Sequence, residues 1–179
     1  EADDQILRMI AKDPTRLGPH FTMYHSLSEP LLEPTLGDKK LFYIGINWEK
    51  LGEVVPRHQK VLAELDMSSK LRIYGPRELR GVRVWGGYES YQGSIPFDGT
   101  SIVREINRAG IALVFSSDAH LGAALMSNRL FEAVAGGAVV ICDHHPFALQ
   151  NFGDTLLYLN TTETAEDIAD QILRHIRWV

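Results

Sequence analysis

The residues best suited to chemistry gather in one segment, Ser127-Asn128-Arg129-Leu130-Phe131-Glu132, which runs on through apolar residues to Gly136-Gly137. Ser127 or Asn128 can cap a helix, so a helix opens here. First-turn N–H groups lack intrahelical acceptors and sit at the positive end of the helix dipole, which favours a phosphate. Arg129 can add a two-pronged grip on phosphate oxygens. Glu132 follows one turn along, where a carboxylate can accept hydrogen bonds from the vicinal hydroxyls of a ribose. The same residues also fit a purely structural reading, in which Ser127 only caps and Glu132 lies on a solvated face.

A second constellation is Asp118, His120, Asp143, His144 and His145, just beyond two apolar runs. Converging Asp and His side chains can bind Zn²⁺ or Mn²⁺ and activate a water for hydrolysis. Their spacing matches no ligand motif, and polar residues are common at strand ends, so surface histidines are the favoured account. Trp48, Tyr74, Trp85, Tyr88 and Tyr91 can stack on a base or sugar or pack within the protein. Trp48 and Tyr74 follow strands at what would be their cleft ends. Cys142, the single cysteine, lies in an apolar run and reads as a small buried hydrophobe.

The elements that must carry these residues alternate regularly from residue 41. Apolar runs at 41–46, 71–74, 111–115, 138–142 and 155–159 have the character of strands buried on both faces. A further strand falls within 77–93, at either 82–85 or the Tyr91 region. Helices are predicted between them: one with Pro56 near its start and Val61, Leu62 and Leu65 on one face, and one capped by Asp98 or Thr100. Gly110 ends the second of these, Gly136-Gly137 ends the helix of Glu132, and Ile168, Ile172 and Ile176 mark the last. This alternation predicts an α/β fold, a doubly wound, Rossmann-like parallel sheet spanning residues 41–179. Ligands of such sheets bind beyond the carboxyl ends of the strands. Residues 3–12 suggest a short amphipathic helix, and the Pro- and Gly-punctuated residues 15–40 a linker, so residues 1–40 read as an interdomain segment.

The chain has 179 residues, 45% hydrophobic and 23% charged, with a net charge of −5, which argues against non-specific nucleic-acid binding. One cysteine allows no intrachain disulfide. The most apolar stretches fall far short of the ~20 residues of a membrane helix. Glu1-Ala2-Asp3-Asp4 is acidic where a secretory signal would be basic. A soluble, cytoplasmic protein is expected, and the absent initiator methionine suggests an excised piece.

Three stretches, SNRLFEAVAGGAVVICD at 127–143, LFYIGINW at 41–48 with Arg57-His58 behind it, and YQGSIPFDG at 91–99, resemble one family. This is the glycosyl transferases group 1 family of retaining, two-Rossmann-domain (GT-B) enzymes, and its CgeB-like branch most of all. The resemblance covers residues 41 to about 160 and falls on the C-terminal, donor-binding half. It implies transfer of a sugar from a nucleoside diphosphate sugar to an acceptor hydroxyl, with no metal or other cofactor required. It assigns Glu132 to the ribose, Ser127, Asn128 and Arg129 to the diphosphate, Gly45, Ile46 and Asn47 to the phosphate-approaching loop, and Ile95, Pro96 and Phe97 to the base. His120 would line the donor cleft, and Tyr74 stands near it. Lys50 or Arg57 stands near the family's phosphate-binding lysine. Many members carry a second glutamate eight positions before the ribose-binding one, where this chain has Ala124; the CgeB-like branch often lacks it too. The acceptor site would lie on a separate N-terminal domain, leaving this half alone with weak nucleotide binding and little transfer. A metal-dependent hydrolase, a sugar-nucleotide epimerase of the same architecture and a non-catalytic CgeB-like relative are the competing readings.

Overall fold

A computed structural model describes residues 31–52, 58–122 and 125–178. The helix expected at 3–12 and Pro56 lie outside the described residues. Among the described residues six strands pair in parallel: β1 (Lys40–Ile44), β2 (Leu71–Tyr74), β3 (Tyr91–Gly93), β4 (Gly110–Val114), β5 (Val139–Asp143) and β6 (Leu157–Leu159). Their order across the sheet is β3-β2-β1-β4-β5-β6. This is the doubly wound, Rossmann-like arrangement that the alternating pattern predicts. The strand left open within 77–93 is the one at Tyr91, while Val82 makes only an isolated bridge to Leu79.

The helices are α1 (Gln59–Asp66), α2 (Ser101–Ala109), α3 (Asp118–Gly122), α4 (Asn128–Ala135), α5 (Pro146–Phe152) and α6 (Ala165–Trp178). Side-chain alternation along the strands divides the core into two layers. Leu41, Ile73, Ile111, Leu113, Ile141 and Leu159 pack with Val61, Leu62 and Leu65 of α1 and with Ile168, Ile172 and Ile176 of α6. On the opposite face Phe42, Tyr74, Ala112, Val114, Val140 and Cys142 meet Ile106 of α2, Leu130 and Ala133 of α4 and Ala148 of α5. Burial on both faces explains why these strands read as apolar runs without a polar alternate.

Helix α4 is positioned by its two closing glycines, and each has its own reason to be glycine. A Cβ on Gly136 would stand 2.6 Å from Ile106 Cγ2 and 3.1 Å from the Val103 carbonyl, so the bare Cα lets α4 close on α2. Gly137 has φ +64° and presses against the backbone of Leu32 and Pro34. Left-handed backbone of that kind strains any residue with a Cβ. Residues 31–39 run across these helix ends. The Leu32 N–H donates to the Ala135 carbonyl at 2.8 Å and the Asp38 N–H to the Arg108 carbonyl at 2.9 Å, satisfying carbonyls that a helix end leaves open. Asp38 also pairs with Arg72 at 2.7 Å. At the other end of α2, Asp98 accepts the N–H groups of Thr100 and Ser101 and the Ser101 hydroxyl. These bonds hold its carboxyl well below the usual range.

Gly136→Ala should lower unfolding stability in urea by about 1–3 kcal/mol, the usual cost of overfilling a packed contact. Gly122→Ala, where a Cβ meets open space, should stay within roughly 0.5 kcal/mol of the parent. Equal losses in the two variants would mean that the α2–α4 contact does not depend on the missing side chain.

Candidate functional site

The strand order reverses direction between β1 and β4: the chain winds outward from β1 through β2 and β3, then returns beside β1 to begin the other half. Loops leaving the carboxyl ends of these two strands diverge, and the crevice between them is where ligands of such sheets bind. The segments after β1 and β4, together with the start of α4, therefore define the candidate site.

After β1 the backbone is fixed at Gly45. Its N–H donates to the Tyr74 carbonyl at 3.1 Å and its carbonyl accepts the Trp85 indole N–H at 3.2 Å. The open side of its Cα faces two polar side chains. A Cβ there would lie 3.3 Å from the Tyr43 hydroxyl and 3.6 Å from Arg129 Nη2. Asn47 is 5% exposed, and its Oδ1 accepts the Lys50 N–H at 3.1 Å, capping the 3₁₀ turn Trp48–Leu51. Its Nδ2 is buried and has no partner among the described residues. An unpaired buried amide is costly, so such a group calls for an acceptor from outside the fold. Glu49 joins the turn to α1, its two carboxylate oxygens accepting the N–H groups of His58 and Gln59 at 2.8 and 3.0 Å. The His58 ring lies parallel to Phe115 at 4.3 Å, with Nε2 3.0 Å from the Ser116 carbonyl.

The loop after β4 is pinned from β5. Asp143 is 1% exposed, and both its oxygens are occupied, one by the Ser116 N–H at 2.8 Å and the other by the Ser116 hydroxyl at 2.9 Å. His145 is fully buried, and its Nδ1 accepts the Phe147 N–H at 3.1 Å at the start of α5. A neutral ring then carries its proton on Nε2, which faces the His120 carbonyl at 3.4 Å. His144 is exposed and stacks on Tyr158 with ring centres 5.4 Å apart. Asp118 is exposed, and His120 is half-buried with Nδ1 2.9 Å from the Ser117 hydroxyl. Of the Asp and His side chains considered as ligands, Asp143, His145 and His120 thus brace the loops. Among the described residues no three His, Cys, Asp or Glu side chains are grouped so as to hold a metal ion.

Helix α4 opens at this crevice. Ser127, 9% exposed, accepts the Arg129 N–H on Oγ at 3.2 Å, so it does cap the helix. Glu132 is half-buried and accepts from Asn128 Nδ2 at 2.7 Å. With its amide nitrogen so engaged, Asn128 leaves Oδ1 buried without a partner among the described residues. Arg129 crosses to the β1 loop, where its guanidinium closes over Gly45. Gly45, Asn47, Ser127, Asn128, Arg129 and Glu132 are therefore carried by the two segments that flank the crevice, with His120 on the adjoining α3.

Of the remaining anticipated residues, Tyr74 turns toward α2, while Trp48 and Lys50 belong to the segment after β1. The Tyr74 side chain stacks on Phe42 at 5.1 Å and donates to Glu105 at 3.1 Å, because its place in β2 turns it toward α2. Pro96 and Phe97 are exposed ahead of α2, Phe97 completely. Trp48 is partly exposed, and Lys50 is exposed on the same turn. Arg57 and Ala124 lie outside the described residues. Sequence reasoning missed the roles of Tyr43, Glu49, His58, Trp85 and Ser116. Their types were visible, but most of their contacts link segments far apart in the chain, Trp85 with Gly45 and His58 with Ser116.

A family described as glycosyl transferase-like matches residues 53–177. No curated protein and no solved structure matches the chain.

The Cys142 thiol on β5 is pushed up to about 12 from an ordinary value of 9.0, by burial first and then by the Asp143 carboxylate. It should remain unmodified by a thiol reagent at pH 8 until urea unfolds the protein. The folded thiol keeps a proton that the unfolded one loses above pH 9, so this contribution to stability is intact below pH 9 and drains away as pH rises toward 12. The Tyr88 hydroxyl, also pushed up to about 12 by burial, acts in the same direction. Cys142→Ala should therefore make the alkaline decline in urea midpoint shallower without abolishing it, and an unchanged decline would contradict the assignment.

Proposed function

The chain belongs to the glycosyl transferase-like family, and from that premise we propose that it is the nucleotide-sugar-binding domain of a GT-B glycosyltransferase. The reaction is transfer of a sugar from a nucleoside diphosphate sugar to an acceptor hydroxyl. One observation supports this above others: Arg129, from the start of α4, reaches the bare Cα of Gly45 at the crevice between β1 and β4. A guanidinium held beside this backbone can pair with a phosphate oxygen through charge-assisted hydrogen bonds.

On this reading Arg129 and the amino end of α4 take the negative charge that grows on the departing diphosphate. That neutralisation supplies what a metal ion supplies elsewhere, so the transfer proceeds without one. Ser127 sets the helix start and orients Arg129. The Glu132 carboxylate accepts from the ribose hydroxyls, exchanging or sharing its bond with Asn128. Asn47 Nδ2 and Asn128 Oδ1, a donor and an acceptor unmatched among the described residues, are completed by donor oxygens and hydroxyls. His120 lines the cleft, and Pro96 and Phe97, exposed before α2, flank the base. The acceptor is held by a separate N-terminal domain, so the chain by itself binds nucleotide weakly and transfers little. Retention of configuration at the transferred sugar, the CgeB-like branch and a cytoplasmic location belong to the same proposal. For the membrane, the finding is that no helix of the described residues is long and apolar enough to cross one.

A panel of UDP, GDP, ADP, dTDP and CMP, assayed by thermal shift and ligand-observed NMR, tests the proposal. One nucleoside diphosphate should bind best, and Glu132→Ala should weaken it by about 1–3 kcal/mol, the worth of hydrogen bonds to a charged acceptor. Arg129→Met should weaken every diphosphate more than it weakens the matching nucleoside. Glu132→Ala binding as tightly as the parent would remove that carboxylate from the site. Absence of any nucleotide binding would favour the non-catalytic relative. With the complete enzyme, EDTA should leave transfer unchanged, and product analysis separates transfer from epimerisation.

A further inference from the structure

Tyr43 is the polar side chain nearest Gly45 that the donor-site reading leaves unused. Its position in β1 marks it as core, and its ring is held as core: edge-on to Trp85 at 5.9 Å and tilted against Phe115 at 6.4 Å. Its hydroxyl, however, reaches the open side of Gly45, 3.3 Å from where a Cβ would stand, with Arg129 Nη2 3.6 Å from the same point. Gly45 is not in left-handed backbone, so conformational freedom does not account for the glycine. The close approach of the phenol does, since even a single Cβ would crowd the hydroxyl.

We infer that the Tyr43 hydroxyl, the Arg129 guanidinium and the bare Cα of Gly45 form one anion notch, in which the phenol donates a hydrogen bond to a phosphoryl oxygen of the bound diphosphate. The inference rests on the proposed nucleotide site and adds a binding residue to it. Three features fit it. The guanidinium holds only donors and the phenol carries an O–H of its own, so both can turn donors toward an oxygen-rich anion. The ring is clamped between Trp85 and Phe115, so its hydroxyl is placed before any ligand arrives and little ordering is needed on binding. Burial pushes the Tyr43 phenol up, against the pull of Arg129, which keeps its proton available for donation.

Isothermal titration with inorganic pyrophosphate, with the best-bound nucleoside diphosphate and with its parent nucleoside tests this on the intact chain. Tyr43→Phe keeps the ring packing and should weaken pyrophosphate and the diphosphate roughly tenfold, as for a hydrogen bond to a charged group, with the nucleoside unchanged. Gly45→Ala, whose Cβ would crowd the hydroxyl, should displace the phenol and lose pyrophosphate binding more severely. In protein labelled with ¹³C at tyrosine Cζ, the resonance missing from Tyr43→Phe should shift when pyrophosphate is added. A purely structural tyrosine would lower the thermal midpoint and weaken nucleoside and diphosphate alike, which would overturn the inference. Tyr43→Phe with parental pyrophosphate affinity, while Glu132→Ala still loses the nucleoside diphosphate, would overturn the notch and leave the nucleotide site standing. A parent chain that binds neither pyrophosphate nor any nucleoside diphosphate would overturn both.

Discussion

The contact between Arg129 and Gly45 can form only because β1 and β4 are neighbours in the sheet although residues 45–109 separate them in the chain. That adjacency creates the crevice, and the rest of the structure arranges matter around it. Hydrophobic layers on the two faces fix the strands, while a set of buried and partly buried polar bonds fixes the loops. Asp143 holds Ser116, His58 lies against Phe115 and the Ser116 carbonyl, and Glu49 ties the β1 turn to the start of α1. In a low-dielectric interior each of these groups would be costly alone, so together they rigidify the rim.

The same accounting separates bracing from recognition. Asp143 and His145 are fully buried and satisfied within the protein, and their chemistry is spent on holding loops. Asn47 and Asn128 each satisfy half of an amide and leave the other half buried and unmatched among the described residues. Both stand on the segments flanking the crevice, one with a spare donor and the other with a spare acceptor. A nucleoside diphosphate sugar offers both complements, which is why the proposed ligand suits this rim better than a simple inorganic anion.

Much of the fold was legible in the sequence because its causes are local or periodic. Apolar runs such as 111–115 announce doubly covered strands, and Ser127 and Gly136-Gly137 mark where α4 begins and ends. The capping role of Ser127, the burial of Cys142 and the packing of Val61, Leu62 and Leu65 follow from residue type and spacing alone. What was hidden depends on partners far away in the chain. Tyr74 stands at a strand end and reads as a cleft residue, yet the pleat sends it to Glu105 on α2. Trp85, in a stretch whose sequence fits a strand at either of two places, proves to hold the Gly45 carbonyl. Asp143 and its neighbouring histidines suggest metal ligands by type, but the hydrogen bonds that tie Asp143 to Ser116 and His145 to the His120 carbonyl link loops that no spacing rule connects.

The central proposition is that a diphosphate seats between the β1 loop and the start of α4. Backbone amide shifts recorded by ¹H–¹⁵N NMR during titration with the best-bound nucleoside diphosphate address it most directly. The account predicts that the largest changes fall on Gly45, Asn47 and residues 127–132, together with the Arg129 side-chain N–H, while β6 and α6 stay still. Changes centred instead on residues 143–146 and 158, with Gly45 and Arg129 unmoved, would contradict it.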